Sequence, residues 1–308
     1  MPGPFTHLMI CAAGMNQDDL LGEELSKFLS ANYQFVFLGA ESPDLPYLSI
    51  GVGGNHWADA MHYDLTNSQV ISGFEALRHV WSVKTPADDL KCAWLLGYVS
   101  HMVADATVHP IVQAIVGPYK GHEEPHRLCE MTMDSLIFEE INHNDLTYAE
   151  FSQALKFCKE SQYFLELLDF WKAQLSSNYP AMAHDPEPHT WFTEYTDALD
   201  AAEGGRVPAF FRHLGVESSY FYRNPEDIKT NTPEDYQNYY AEVKLPGGGS
   251  GPFRPNGFDR AVTNVVNIWK TLYEGLSSPG LHVSKVVRNW NLDTGGDQDA
   301  GGVVTFWS

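Results

Sequence analysis

Three residues with metal-ligand chemistry recur at helical spacing in the stretch YVSHMVADATVHP: His101, Asp105 and His109. On an α-helix, positions four apart lie about 6 Å apart along the axis with only a small rotation, so all three share one narrow face. A carboxylate between two imidazoles suits a zinc-type ion, which takes nitrogen and oxygen ligands, and the two oxygens of Asp105 could bridge two ions. The same face has a plainer reading. An Asp buried on an apolar helix must be paired or neutralised, and two neighbouring histidines would do that without metal.

A second pair lies just downstream, where HRLCE places His126 and Glu130 four apart. Such a pair also occurs on surface helices. Here, though, it follows the first group after a short loop, and two helices so joined are antiparallel neighbours whose ligand faces can meet. Upstream, GAESPDLPY carries Asp44 in a Pro-flanked loop, HWADAMHY carries His56, Asp59 and His62, and THL carries His7. Each of these alone reads equally well as a turn carboxylate, a helix cap or a surface histidine. Together they form a series of hard and borderline ligands from residue 7 to residue 130. His122 reads as a loop histidine, and His184, His189, His213 and His282 as ordinary ones.

Taken together, SHMVADATVHP, HRLCE, SPDLPY and MHY resemble the zinc-dependent phospholipase C family, and within it the catalytic domain of glycosylphosphatidylinositol-specific phospholipase D. The resemblance is strong over residues 5–135 and faint beyond. The more distant fungal single-strand nucleases share the same ligand logic. What the resemblance implies is an all-α fold and a site holding two or three zinc ions. Carried over by motif, His62, His101 and Asp105 would hold one zinc, and His109, His126 and Glu130 a second. Asp105 would also bridge to a third, completed by His7 and the N-terminal amine, and Asp44 would hold the attacking water as general base. The gap from Asp105 to His109 is shorter than in the bacterial phospholipases and fits the phospholipase D-like branch. Secreted members expose their amine by removing a leader. This chain begins at Met1, so Met1, or Pro2 after clipping, would have to serve.

The elements that must position these groups read as helical. Residues 17–31 have a helical apolar period behind an acidic first turn, and residues 34–55 read as a helix end followed by an irregular loop. Residues 68–82 and 87–109 read as helices, the second ending or kinking at Pro110, which lacks a backbone donor. Pro125 suits the first turn of the next helix. Residues 147–175 give one or two more helices, and residues 256–276 close the core with Val262, Val265, Val266, Trp269, Leu272 and Leu276 on one stripe. The expected organisation is one α-helical metal-dependent hydrolase domain over 1–278, with loop insertions around 176–193 and 218–256, and a Gly- and Asp-rich tail over 279–308.

Composition narrows the partners. With 308 residues, 44% hydrophobic and 13% aromatic, the chain can bury a large core. A formal charge of -21, from 19 basic and 40 acidic residues, repels polyanions and argues against nucleic acid, although bound divalent cations would reverse the field inside a pocket. Cys11, Cys92, Cys129 and Cys158 form no CxxC pair and read as small buried hydrophobes. MPGPFTHLMI has no basic start and no long apolar run, which reads as cytoplasmic, or as secreted with a leader absent from this chain. No stretch is apolar enough to span a bilayer.

The expected function is therefore zinc-dependent hydrolysis of a phosphodiester, with a metal-activated water attacking the phosphate of a phospholipid or a smaller diester. Two rivals use the same ligands: a single-strand nuclease, with loop aromatics stacking bases, and a metalloenzyme reassigned to small-molecule metabolism. The aromatic stretch YFYRNPEDIKTNTPEDYQNYY reads as a lid or as a solvated loop.

Overall fold

The apolar run around the ligand stretch becomes the axis of the molecule. In the computed structural model, which describes residues 3–49, 53–143, 151–203, 222–278 and 280–308, helix α7 spans Pro86–Val116. Thr85 and Asp88 form a capping box at its start, with Pro86 in the first turn. Every residue from Cys92 to Val112 is buried, so α7 is apolar all round because it is packed all round.

Of the end or kink that Pro110 suggested, the structure excludes the end: the helix runs through Pro110 to Val116. Proline deprives the Ala106 carbonyl of its helical donor, and that carbonyl is covered by Gly295. Gly295 sits in the left-handed region at φ 67, and a Cβ there would lie 2.5 Å from the Ala106 oxygen and 2.7 Å from the Pro110 ring. Packing on every side outweighs the roughly 3 kcal/mol that an interior proline costs.

Before α7 come α1 (Pro4–Met15), α2 (Asp18–Leu21), α3 (Glu23–Ala31), α4 (Tyr33–Glu41), α5 (Gly54–Tyr63) and α6 (Ser68–Val80). After α7 come α8 (Glu123–Asn142), α9 (Phe151–Phe157), α10 (Phe164–Asn178) and α11 (Pro188–Glu203). The last helices are α12 (Pro225–Asn231), α13 (Pro233–Tyr236), α14 (Asp259–Leu276) and α15 (Val283–Val286). The fold is all-α. Among the described residues its strands are two short antiparallel ribbons, β1 (Val243–Lys244) with β2 (Ser250–Gly251), and β3 (Gly296–Asp297) with β4 (Val303–Val304). Among the described residues no helix is long and apolar enough to cross a membrane.

The closest helix crossing is α4 on α7. Gly39 and Gly97 face each other there: a Cβ on Gly97 would lie 2.0 Å from the Val36 carbonyl, and one on Gly39 would lie 2.0 Å from the Trp94 carbonyl. Two glycines let the backbones touch, which brings the end of α4 beside the ligand face of α7. The expected stripe of α14 is buried as read, and Trp269 donates its indole N–H to the Leu96 carbonyl at 2.7 Å.

Two expected loops are more ordered than their composition suggested. In the 176–193 stretch, α10 continues to Asn178 and α11 begins at Pro188, because Pro suits a first helical turn. In the 218–256 stretch the described part holds α12, α13, two π-helical turns and the first ribbon. The Gly- and Asp-rich segment is not a loose tail either. Trp290 and Leu292 are fully buried against α5 and α7.

Candidate metal centre

The face of α7 predicted to carry ligands is buried in the fold. His101 and Asp105 are completely buried and His109 is 1% exposed. His62 comes from the last turn of α5, and Asp44 from the turn between α4 and the 3-10 stretch Leu45–Leu48. His7 comes from the start of α1, and His126 and Glu130 from the first turns of α8. The seven residues expected to bind metal, with Asp44, therefore converge from four helices and a turn.

Asp105 is the hub. Its Oδ2 lies 3.2 Å from His101 Nε2 and 3.8 Å from His62 Nε2, while its Oδ1 lies 3.4 Å from His7 Nε2 and 3.8 Å from His109 Nε2. Asp44 Oδ1 lies 3.2 Å from His62 Nε2 and 3.9 Å from His101 Nε2. At the far end, Glu130 Oε1 is 3.8 Å from both His109 Nε2 and His126 Nδ1. Four ligands at zinc bond lengths stand about 3.4 Å from one another around a tetrahedral ion. Asp44, His62 and His101 approach that spacing, as do His7, His101 and Asp105: within each triad the ligand atoms lie within 4.8 Å of one another.

The hydrogen-bond partners of the histidines decide which nitrogen faces the centre. His62 Nδ1 is 2.7 Å from the Ala58 carbonyl, and His101 Nδ1 is 2.7 Å from the Ala40 carbonyl, placed there by the Gly39–Gly97 crossing. His109 Nδ1 meets the Leu292 carbonyl. His126 is turned the other way, with Nε2 2.7 Å from the Gly117 carbonyl and Nδ1 toward Glu130. A carbonyl can only accept, so each of these nitrogens carries a proton, and in the neutral ring it is the other nitrogen that presents a lone pair. A buried N–H anchored in this way is the usual support of a metal-ligating histidine.

These inward-facing nitrogens converge on one another and on the carboxylates. His62 Nε2 and His101 Nε2 stand 3.2 Å apart, and two lone pairs at that distance need a proton or a cation between them. Both nitrogens of His7, both oxygens of Asp105, Asp44 Oδ1 and His109 Nε2 are buried and make no hydrogen bond. Orphaned buried acceptors are costly in a native protein, and this many aimed at one point fit a cluster of zinc ions.

Protonation reflects the same demand for positive charge. Burial pulls the His101 pKa down, but the Asp105 and Asp44 carboxylates outweigh it and hold it at about 9. Burial and the neighbouring His101 push His7 down to about 4. Burial acts to raise Asp105, yet His109 and His101 beside it keep its carboxyl well below the usual carboxylate range. Asp44 is likewise lowered, burial being outweighed by His101 and His62.

Of the other candidates, His56 is exposed, Asp59 is exposed and accepts from the Tyr47 hydroxyl at 3.0 Å, and His122 precedes α8 on the surface. Met1, Pro2 and His213 lie outside the described residues. Sequence reading missed the supporting groups. The carbonyls of Ala40, Ala58, Gly117 and Leu292 carry no residue-type signal at all. Asp134, four residues after Glu130, could have been found by its spacing. It is fully buried and accepts from the amides of Phe5 at 3.3 Å and Thr6 at 2.9 Å, which fixes the start of α1 and with it His7. Burial pushes its carboxyl up to about 7.

No curated protein and no solved structure matches the chain. The sequence model of zinc-dependent phospholipase C matches residues 6–187, which include every residue of the centre described above except the Leu292 carbonyl. More than half of the chain is covered, and the protein belongs to the zinc-dependent phospholipase C family.

Proposed function

We propose that this protein is a zinc-dependent phosphodiesterase of the phospholipase C type, acting on a phospholipid or a smaller phosphodiester. The observation that carries the proposal is the set of orphaned, buried donor atoms gathered around Asp105. Asp44, His62, His101 and Asp105 Oδ2 would hold one ion, His7 and Asp105 Oδ1 would contribute to a second, and His109, His126 and Glu130 to a third. When bound, zinc supplies positive charge for an anionic phosphate and makes a water acidic enough to attack at neutral pH.

The chain's own groups do the rest. Asp105 turns Oδ1 toward His7 and Oδ2 toward His101, so it would offer one oxygen to each side of the centre. The anchored Nδ1–H groups of His62, His101 and His109 hold their rings in place, so no reorganisation is needed as charge develops. Asp44 is 13% exposed at its side chain and Glu130 11%, whereas His7, Asp105 and the other α7 ligands are shut off from solvent. Substrate therefore reaches the centre from the Asp44 and Glu130 side. The lowered pKa of Asp44 keeps it ionised near neutrality, so its carboxylate can orient a water and take its proton as the water attacks phosphorus. The acidic surface repels phosphate at long range, which leaves its attraction to the bound cations.

Elemental analysis should find more than one zinc per chain, and the zinc-loaded protein should release phosphocholine from phosphatidylcholine or p-nitrophenol from a model diester. A zinc-loaded protein inert on phospholipid, on model diesters and on single-stranded DNA would overturn the proposal. Cleavage of the DNA alone would move the activity to the nuclease class.

A further inference from the structure

One residue far from the family match touches two of the ligands at once. The Leu292 N–H donates to the main-chain carbonyl of His62 at 3.0 Å, and the Leu292 carbonyl accepts from Nδ1 of His109, 183 positions earlier in the chain. The family match stops at residue 187. Leu292 thus ties α5 to α7 where both present ligands.

The segment around it is built to hold that position. Asn289 Oδ1 accepts from the Thr66 amide at 3.1 Å, and the Trp290 carbonyl accepts from the Thr66 hydroxyl at 2.7 Å. Asp293 accepts from the Tyr63 hydroxyl at 2.9 Å through its carboxylate, and from the Gln113 side chain at 2.8 Å through its carbonyl. Tyr63 directly follows His62, and Gln113 lies one helical turn beyond His109. Trp290 and Leu292 are fully buried, so water is kept from competing for the Leu292 carbonyl.

We propose that Asn289–Asp293 is a positioning arm of the metal centre: the Leu292 carbonyl fixes His109 in the Nδ1–H form, with Nε2 left bare toward Glu130 and Asp105. Without that acceptor the His109 ring can rotate or carry its proton on Nε2, and it then offers no lone pair to an ion. This rests on the zinc-binding reading above and adds a part of the chain that the family match leaves out.

Two measurements on the full-length protein test it. First, nitrogen-15 spectra of histidine-labelled, zinc-loaded protein, assigned with His109→Gln, should show His109 protonated and hydrogen-bonded at Nδ1 and metal-bound at Nε2. Second, zinc affinity should be measured against a graded chelator in Thr66→Val with Asn289→Ala. That variant removes anchors of the arm and leaves every ligand in place. One zinc should bind at least tenfold more weakly, the range found when the partner of a ligating histidine is lost, with the other zinc affinities unchanged. Removal of residues 289–308 should do the same or more, and the double variant keeps the test sound if that truncation fails to fold. Zinc bound at Nδ1 of His109, or zinc affinities of the double variant equal to wild type, would overturn the arm. A wild-type protein that binds no zinc at all would instead overturn the functional reading beneath it.

Discussion

The α4–α7 crossing gives the sharpest structural prediction, because it can be made from a single methyl group. In Gly97→Ala the new Cβ would stand 2.0 Å from the Val36 carbonyl and 2.9 Å from the Gly39 Cα, where ordinary contact begins near 3.4 Å. The obstacles are backbone atoms of a packed helix, so no side chain can swing aside. Helix α4 must retreat by roughly 1.4 Å, the shortfall against that contact distance. Overpacking of this kind costs about 3 kcal/mol. With an unfolding entropy that scales with chain length, that corresponds to a melting temperature about 5 °C lower in the zinc-free protein. The retreat also carries the Ala40 carbonyl away from His101 Nδ1, now 2.7 Å distant, past the limit of a hydrogen bond. It moves Asp44 away from its position 3.9 Å from His101 Nε2 as well. Zinc held by Asp44, His62 and His101 should therefore bind at least tenfold more weakly. Calorimetry of the zinc-free protein and zinc titration against a chelator read the two effects. Gly247→Ala is the control: a Cβ there meets nothing within 4 Å and the backbone is not left-handed, so both quantities should stay at wild type. A Gly97→Ala protein that melts and binds zinc like wild type would refute the claim that this crossing sets the geometry of the centre.

Two further outcomes follow from the buried carboxyls beside the ligands. Asp134→Asn replaces one of two acceptor oxygens that serve the amides of Phe5 and Thr6 and the hydroxyls of Thr6 and Tyr222. Leaving one or two buried donors unmet costs about 3 kcal/mol, and the zinc that His7 helps to hold should be lost first; an unchanged melting temperature and zinc count would refute the role given to Asp134. Glu41 is fully buried beside the Tyr195 hydroxyl, which donates to it at 2.6 Å, and burial pushes its carboxyl up from 4.5 to about 8. The folded chain holds this proton after the unfolded chain has released it, so the contribution is complete below pH 4.5 and is lost as pH rises through about 8. Zinc-free wild type should lose stability relative to Glu41→Gln by about 1.4 kcal/mol per pH unit across that window, and urea unfolding at a series of pH values would show no slope there if Glu41 were ionised in the fold.

Residue type and local spacing determined most of the ligand set. An i, i+4 repeat puts His101, Asp105 and His109 on one face whatever else the chain does, and His126 with Glu130 follows the same rule, because helical geometry is local. The all-α class was legible for a similar reason, in the long apolar run of α7 and the apolar stripe of α14. Where local rules compete with packing they mislead. Pro110 reads as a helix end or kink, yet α7 continues because its neighbours bury it and Gly295 covers the carbonyl that proline orphans. Tertiary structure alone decided which of these groups meet. Asp44 reads as a loop carboxylate, and only the close α4–α7 crossing places it beside His62 and His101. The groups that orient the imidazoles are main-chain carbonyls, and every residue has one, so no sequence pattern distinguishes Ala40 or Leu292 from its neighbours. The chain specifies which atoms can bind a metal, and folding decides which lone pairs face each other, because that depends on contacts between residues as far apart as 109 and 292.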